Sequence, residues 1–138
     1  MPEPVKGLET LVRALTILRR QEGDHCKWRL VIIGGEAELN GAKQKSLLVG
    51  SPSISTREPN GYRSEIVRLI HELRMEDRVS FLGSKPQNTL ADYYAAADCC
   101  VFPSVYDTFG LAVIEALSCG SRVGASNVGG YPQMLAQK

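Results

Sequence analysis

The sequence has no surplus of charge of either sign and no long hydrophobic run. Sixteen lysines and arginines against fifteen aspartates and glutamates give a net charge of +1, so no electrostatic field favours nucleic acid or an anionic membrane. No apolar stretch approaches the ~20 residues that span a bilayer, and the chain opens with no signal peptide. These absences predict a soluble cytoplasmic protein. The 138 residues, 43% of them hydrophobic, fit one globular domain or part of one.

The chain has four cysteines, and their spacing does not match that of a metal site. Cys99 and Cys100 are adjacent, so on a strand their side chains would point to opposite faces. Together with Cys26 and Cys119 they are predicted to be reduced, buried small residues. The cysteines therefore predict no metal site.

Apolar residues recur with helical spacing in some segments and form short runs in others. Helical spacing predicts helices over 7–21, 66–73, 90–97 and 109–119, with a short helix after Gly130. Short apolar runs predict buried strands over 28–33, 79–82, 99–102 and 122–125. Residues 36–60 have no period and are predicted to be an inserted loop. Helices that alternate with buried strands predict an α/β fold with a doubly wound, Rossmann-like parallel sheet.

The first strand of such a fold is not evident in the sequence. The chain begins with a helix, and residues 1–5 contain two prolines, which do not suit a central strand. In the strand order 3-2-1-4-5-6 the missing strand is a central one, so we expect a fragment, incomplete at both ends. Ligands bind outside the carboxyl ends of parallel strands. Here these are the segments after Ile33, Leu82, Phe102 and Ala125.

The segment PSVYDTFGLAVIEALSCG, residues 103–120, contains a candidate phosphate site. Asp107 or Thr108 suits the N-cap of the predicted helix, which then begins directly after it. The free N–H groups at a helix start bind anions, and a glycine among them has no side chain to obstruct a phosphate. The N–H groups expected to do so belong to Phe109, Gly110 and Leu111.

Glu115 lies within the apolar part of the same segment. It follows Thr108 by seven residues, close to two helical turns, so it is predicted to project from a similar face of the helix. Its carboxylate can accept two hydrogen bonds from the diol of a ribose. A phosphate site and a sugar site on one helix indicate a nucleotide. The alternative interpretation gives Asp107 only a capping role and leaves Glu115 solvated or in an ion pair.

Five blocks of the chain, taken in order, resemble one family. They are KGLETLVRAL (6–15), LVIIGG (30–35), DRVSFLG (77–83), LADYYAAADCCVFPS (90–104) and PSVYDTFGLAVIEALSCGSRVGASNVGG (103–130). They resemble the C-terminal, donor-binding half of retaining nucleotide-sugar glycosyltransferases of the GT-B fold, which carry an E-x7-E pair. The resemblance implies that residues 1–138 are part of this domain, with 36–60 as an insertion. It also implies that the N-terminal acceptor domain is absent.

The resemblance implies roles for individual residues. Lys6 is expected to meet the donor diphosphate, and Glu115 the ribose hydroxyls. The segment from Thr108 to Leu111, with Phe109 and Gly110 between them, is expected to lie against the donor sugar and phosphates. Asp107 takes the position of the first glutamate, near the donor hexose, so Lys6 and Asp107 are predicted to be catalytic. The region that lines the base is expected to be Gly83, Ser84 and Lys85.

The chain departs from the family pattern at several positions. Asp107 is one methylene shorter than the expected glutamate, which predicts a lower rate or an altered sugar preference. Met1 stands where the family has a diphosphate-binding arginine. Arg122 replaces a common proline, and Gln133 replaces a frequent acidic residue.

The family transfers a sugar from a nucleoside diphosphate with retention of configuration. The resemblance therefore implies a UDP-, ADP- or GDP-hexose donor, with no metal or other cofactor. The acceptor is expected to be a sugar, polyol or phosphate ester held by the N-terminal domain. The insertion and the VGGYPQ segment resemble subgroups with sucrose-phosphate or inositol-phosphate type acceptors. The chain alone is predicted to be inactive, and a peripheral membrane association of the intact protein is left open.

Other functions fit the motifs less well. The first alternative is a nucleotide-binding module that catalyses nothing. A dinucleotide-dependent oxidoreductase shares the fold class, but GGEAEL (34–39) lacks the third glycine of its fingerprint. An epimerase or phosphorylase of the same fold needs residues outside this chain.

Overall fold

The computed structural model describes residues 6–25, 27–34 and 61–136. The helices there are α1 (Leu8–Glu22), α2 (Tyr62–Glu72), α3 (Gln87–Ala96), α4 (Leu111–Ser118) and α5 (Tyr131–Leu135). The strands are β1 (Leu30–Ile33), β2 (Val79–Gly83), β3 (Cys100–Phe102) and β4 (Val123–Ala125). A 3-10 turn, Gly23–His25, follows α1. Each helix and strand predicted within these ranges is present, whereas the predicted insertion at 36–60 lies outside the described residues.

The described strands pair two by two, and both pairs are parallel. β1 pairs with β2 from Leu30 opposite Val79, and β3 pairs with β4 from Cys100 opposite Val123. The order 3-2-1-4-5-6 makes β1 and β2 its second and third strands, and β3 and β4 its fourth and fifth. The parallel α/β class is confirmed. The expected single sheet is not seen in the described ranges, because no described strand takes the first position and hydrogen bonds join strands only within each pair.

The described residues divide into two compact units, residues 12–84 and residues 6–11 with 85–136. In the first unit the buried side chains come from α1, α2, the segment before β2 and the first residue of β2: Val12, Thr16, Ile66, Leu69, Ile70, Met75 and Val79. In the second unit they come from the loop after β3 and from α4 and α5: Ser104, Val113, Ala116 and Tyr131. No helix in either unit is long and apolar enough to cross a membrane.

The strands are less buried than predicted. Val31 in β1 and Val101 in β3 are each nearly half exposed. The prediction of buried cysteines is also wrong for the described ones. Cys99 is exposed, Cys100 and Cys119 are half-buried, and all three are free thiols.

The end of α4 shows why the sequence predicted it well. Gly120 has a φ of 78°, which a glycine adopts without strain. Its N–H donates to the carbonyl oxygen of Leu117 at 3.0 Å, and the N–H of Ser121 donates to the carbonyl oxygen of Ala116 at 3.1 Å. These two bonds form a Schellman motif, so the predicted glycine just past the helix is confirmed.

Candidate functional site

The loop between β3 and α4, residues 103–110, is organised around the carboxylate of Asp107. Its Oδ1 accepts hydrogen bonds from the N–H of Phe109 at 3.3 Å and the N–H of Gly110 at 3.0 Å. Gly110 is the N-cap of α4 and has a φ of 74°, in the left-handed region. Because the short side chain of Asp107 binds these amides, the loop continues for two residues beyond the predicted helix start.

The predicted start of α4 at Phe109 is therefore wrong, since α4 begins at Leu111. The cap is Gly110 rather than Asp107 or Thr108, and Thr108 is exposed. The N–H groups of Phe109 and Gly110 were expected to be free for a phosphate. They are instead occupied by the Asp107 carboxylate.

The open donors of α4 lie slightly further along the chain. Within the ranges that the structure describes, the N–H groups of Leu111 and Ala112 have no acceptor. The side chain of Leu111 is exposed, so this end of the helix reaches solvent. The first N–H groups of a helix carry a partial positive charge and suit an anion. Of the three predicted phosphate-binding amides, only that of Leu111 remains available.

Lys6 lies just before α1 and reaches this loop. Its Nζ is 2.9 Å from Oδ2 of Asp107, and the side chains of Lys6 and Asp107 are 51% and 16% exposed. Gly7 permits the approach of the two segments, because a Cβ there would overlap the carbonyl oxygen of Pro103. The structure thus brings together the two residues that the sequence predicted to be catalytic.

The same oxygen of Asp107 has a second partner. The hydroxyl of Tyr131, the first residue of α5, donates to Oδ2 of Asp107 at 3.0 Å. Tyr131 is 2% exposed, and the hydroxyl of Ser104, which is 4% exposed, lies 3.2 Å from its oxygen. A Cβ at Gly110 would overlap the ring of Tyr131. Neither Ser104 nor Tyr131 was predicted, since a lone serine and a lone tyrosine have no diagnostic spacing.

Electrostatics fixes the direction of these hydrogen bonds. The ammonium of Lys6 holds the pKa of Asp107 below its ordinary value, with help from the hydrogen bonds of Tyr131 and Gly110. Burial and the charge of Asp107 raise the pKa of Tyr131. At neutral pH Asp107 is a carboxylate, which only accepts hydrogen bonds, and Tyr131 is a neutral phenol. Tyr131 therefore donates to Asp107, and Ser104 donates to Tyr131.

Glu115 has different neighbours. It is half-buried in α4, and the side-chain amide of Gln87 donates to its Oε1 at 3.4 Å. Tyr94 of α3 lies near the same carboxylate, and burial together with the negative charge of Glu115 raises the pKa of Tyr94 to about 12. Gln87 and Tyr94 were not predicted, because their link to Glu115 depends on how α3 packs on α4. The polar environment of Glu115 is thus built by side chains of α3.

The three residues predicted to line the base follow β2. Gly83 ends this strand with a φ of 65°, and its carbonyl oxygen accepts from the N–H of Gly34 at 3.0 Å. Ser84 is exposed and Lys85 is half-buried. Gly83 and Ser84 belong to the first unit, and Lys85 belongs to the second.

An open cavity of about 610 Å³ lies in the second unit, between α4 and α5. Its lining is mostly apolar and includes Phe109, Ile114, Leu117 and Met134. A lining of this kind suits an apolar group and not a phosphate. In neither unit do three or more histidine, cysteine, aspartate or glutamate side chains come close enough to hold a metal ion, as far as the chain is described.

Residues 2–138 match the family described as glycosyl transferases group 1. The D-inositol 3-phosphate glycosyltransferase of Corynebacterium glutamicum is 32% identical over 135 residues, which are 98% of this chain and 27% of that protein. The enzyme of the same name from Mycolicibacterium smegmatis is 37% identical over 107 residues, which are 77% of this chain and 23% of that protein. The chain therefore spans about a quarter of the length of these relatives.

Solved structures of similar fold agree with this match. Sucrose-phosphate synthase from Thermosynechococcus elongatus has a TM-score of 0.67 and 35% identity, over 93% of this chain and 26% of that one. HepE from Anabaena, in complex with UDP and glucose, has a TM-score of 0.66 and 25% identity, over 96% of this chain and 29% of that one. The predicted Rossmann-like half of a GT-B fold is confirmed.

Proposed function

Because this chain belongs to the family of glycosyl transferases group 1, we propose that it forms the donor-binding domain of a retaining glycosyltransferase. The observation that carries the proposal is the position of Lys6. Its ammonium is held on the loop that leads into the open start of α4. A cation and a helix N-terminus within one compact unit form a suitable environment for a diphosphate.

The diphosphate, the ribose and the base of a nucleoside-diphosphate sugar each have a proposed partner in this chain. The diphosphate is bound by Lys6 and by the N–H groups of Leu111 and Ala112. The ribose hydroxyls donate to Glu115, whose carboxylate is already held by polar side chains of α3. The base is assigned to Gly83, Ser84 and Lys85 from the family resemblance alone.

The proposed reaction needs stabilisation of negative charge more than it needs an acid or a base. The bond between the anomeric carbon and the β-phosphate oxygen breaks, and the acceptor hydroxyl oxygen forms a new bond to that carbon on the same face of the sugar. The hydroxyl proton passes to the departing diphosphate oxygen. The leaving diphosphate gains negative charge, which Lys6 and the donors of α4 stabilise. Since protein groups supply this positive charge, the proposed reaction requires no metal ion.

The comparisons suggest which donor and acceptor to test first. The HepE structure contains UDP and glucose, so a UDP-hexose is the first donor, with ADP- and GDP-hexoses after it. The relatives are named D-inositol 3-phosphate glycosyltransferases, which supports a phosphate ester of a polyol as the acceptor here. We propose that the acceptor binds a domain outside this chain, because the relatives are far longer than the chain.

Calorimetric titration of the 138-residue chain with UDP, ADP and GDP tests the binding proposal. One of the three is expected to bind. Lys6→Met should weaken that binding by about tenfold, since it removes a charge-assisted contact worth about 1.4 kcal/mol. Lys27→Met, which removes an exposed lysine in the first unit, is the matched control and should bind normally. No binding of any of the three nucleotides would overturn the proposal.

One observation favours a second candidate, a nucleotide-binding module without catalysis. Asp107 takes the position of a sugar-contacting glutamate, yet both of its oxygens already bind groups of this chain. Such a site binds a nucleotide without orienting a hexose. Mixing the chain with a radiolabelled UDP-hexose and inositol phosphate tests the module candidate. We expect no transfer by the chain alone, and transfer at a rate typical of the family would exclude the module.

A further inference from the structure

We infer that Tyr131, anchored by Ser104, is a positioning residue that fixes Asp107 and, through it, the ammonium of Lys6 for the β-phosphate of a bound nucleotide. The inference rests on the proposed function and deepens it. It also assigns Asp107 a role different from the predicted contact with the donor hexose.

The anchor is the most buried part of the arrangement. Tyr131 and Ser104 are 2% and 4% exposed, and their oxygens lie 3.2 Å apart. The ring of Tyr131 fills the space that a side chain at Gly110 would need. The phenol oxygen is therefore fixed by packing on one side and by the hydroxyl of Ser104 on the other. Its single proton is directed to Asp107 at 3.0 Å.

Asp107 connects this anchor to the cation. One carboxylate oxygen accepts from the N–H groups of Phe109 and Gly110, which locks the side chain to its own loop. The other accepts from Tyr131 and contacts Lys6 at 2.9 Å. Four protein donors thus surround the two oxygens, and the carboxylate is mostly buried. Because Asp107 is engaged within the protein, we assign it a positioning role instead of a contact with the sugar.

Lys6 is the charged partner of this carboxylate, and its side chain is 51% exposed. A lysine side chain has four rotatable bonds, and fixing it costs conformational entropy. Holding the ammonium in place before the ligand arrives removes part of that cost from binding. Among the described partners of Oδ2 of Asp107, removal of the Tyr131 hydroxyl leaves only the flexible lysine. The carboxylate and the ammonium then lose their fixed geometry.

The substitution Tyr131→Phe removes the hydroxyl and keeps the ring against Gly110. We expect it to weaken binding of the nucleoside diphosphate about three- to tenfold, the value of one hydrogen bond. Binding of the corresponding nucleoside monophosphate, which has no β-phosphate, should change less than twofold. A merely structural role of Tyr131 would weaken both ligands equally. Tyr106→Phe, at an exposed tyrosine of the same loop, is the matched control and should leave both affinities unchanged.

A double-mutant cycle separates the positioning of Lys6 by Tyr131 from any direct effect of Tyr131 on the bound nucleotide. Once Lys6→Met is in place, Tyr131→Phe should weaken diphosphate binding no further, because the group that it positions is gone. Additive losses would overturn the inference. If Tyr131→Phe does not fold, Ser104→Ala takes its place, with a smaller loss in the same direction. No nucleotide binding by the wild type would overturn the proposed function as well, whereas normal diphosphate binding by Tyr131→Phe would overturn this inference alone.

Discussion

The ammonium nitrogen of Lys6 lies 2.9 Å from Oδ2 of Asp107, although 101 residues separate them in the sequence. Ion pairs with one partner at the surface contribute little to stability, and Lys6 is half exposed. The contact is better understood as a geometric constraint. It holds the cation on the loop that leads into α4, next to the open N–H groups of that helix.

Asp107→Asn should lower the free energy of unfolding at neutral pH by roughly 1–2 kcal/mol, since it removes a charged acceptor from four donors. The pKa of Asp107 is below its ordinary value of 3.8 in the folded chain, so its contribution is present above about pH 4 and is lost as the pH falls further. The difference between wild type and variant should therefore shrink from pH 7 to pH 3.

Urea unfolding at both pH values measures this difference. Asp92→Asn, on an exposed position of α3, is the matched control for removing one carboxylate. A wild-type advantage over Asp107→Asn that stays constant or grows on acidification would contradict the prediction.

Gly129→Ala should destabilise the fold by roughly 2–3 kcal/mol. Gly129 has a φ of 51°, and a Cβ there would overlap the backbone carbonyl oxygen of Asp107. Gly124→Ala is the matched control, because a Cβ at Gly124 meets nothing within 4 Å. It should change the free energy of unfolding by less than about 1 kcal/mol. Equal thermal melting curves for the two variants would contradict this prediction and show that the loop around Asp107 shifts to accommodate the new Cβ.

Arg74→Gly should stabilise the chain by about 0.5–1 kcal/mol, because a left-handed residue with a side chain is strained. Arg74 follows α2 with a φ of 54°, the position of glycine in a Schellman motif. Its carbonyl oxygen, which accepts from Arg19 at 2.8 Å, is retained in the variant. Arg68→Gly makes the same change inside α2 and should instead lower the free energy of unfolding by about 1 kcal/mol. Chemical unfolding of both variants checks the opposite signs.

Glu115→Gln should lower the pKa of Tyr94 from about 12 part of the way toward 10.0. Burial is the largest cause of the raised pKa and remains, whereas the negative charge of Glu115 is removed. The raised pKa favours the neutral phenol in the fold, so its stabilising effect is complete below pH 10 and is lost as the pH rises toward 12. NMR titration of chains with labelled tyrosine, assigned with Tyr94→Phe, measures the change. If the pKa of Tyr94 does not change, the negative charge of Glu115 does not act on Tyr94.

The sequence alone determined the helices, the strands and the end of α4. Spacing of apolar residues decides which face of an element can be buried, and this information is local. The same holds for Gly120, since a helix that stops needs a residue that adopts a left-handed backbone. The family motifs likewise lie in contiguous segments, so the match over residues 2–138 could be anticipated.

The tertiary structure decided which side chains meet. α4 begins two residues later than predicted, because Gly110 is left-handed and Asp107 accepts hydrogen bonds from the N–H groups of Phe109 and Gly110. Tyr131 reaches Asp107 only because α5 packs against the loop after β3, and Tyr94 reaches Glu115 only because α3 packs on α4. The contacts of Tyr131 and Tyr94 join residues far apart in the chain, and no local spacing encodes them. The sequence thus predicted which segment holds the candidate site, and packing determined which side chains contact Asp107 and Glu115.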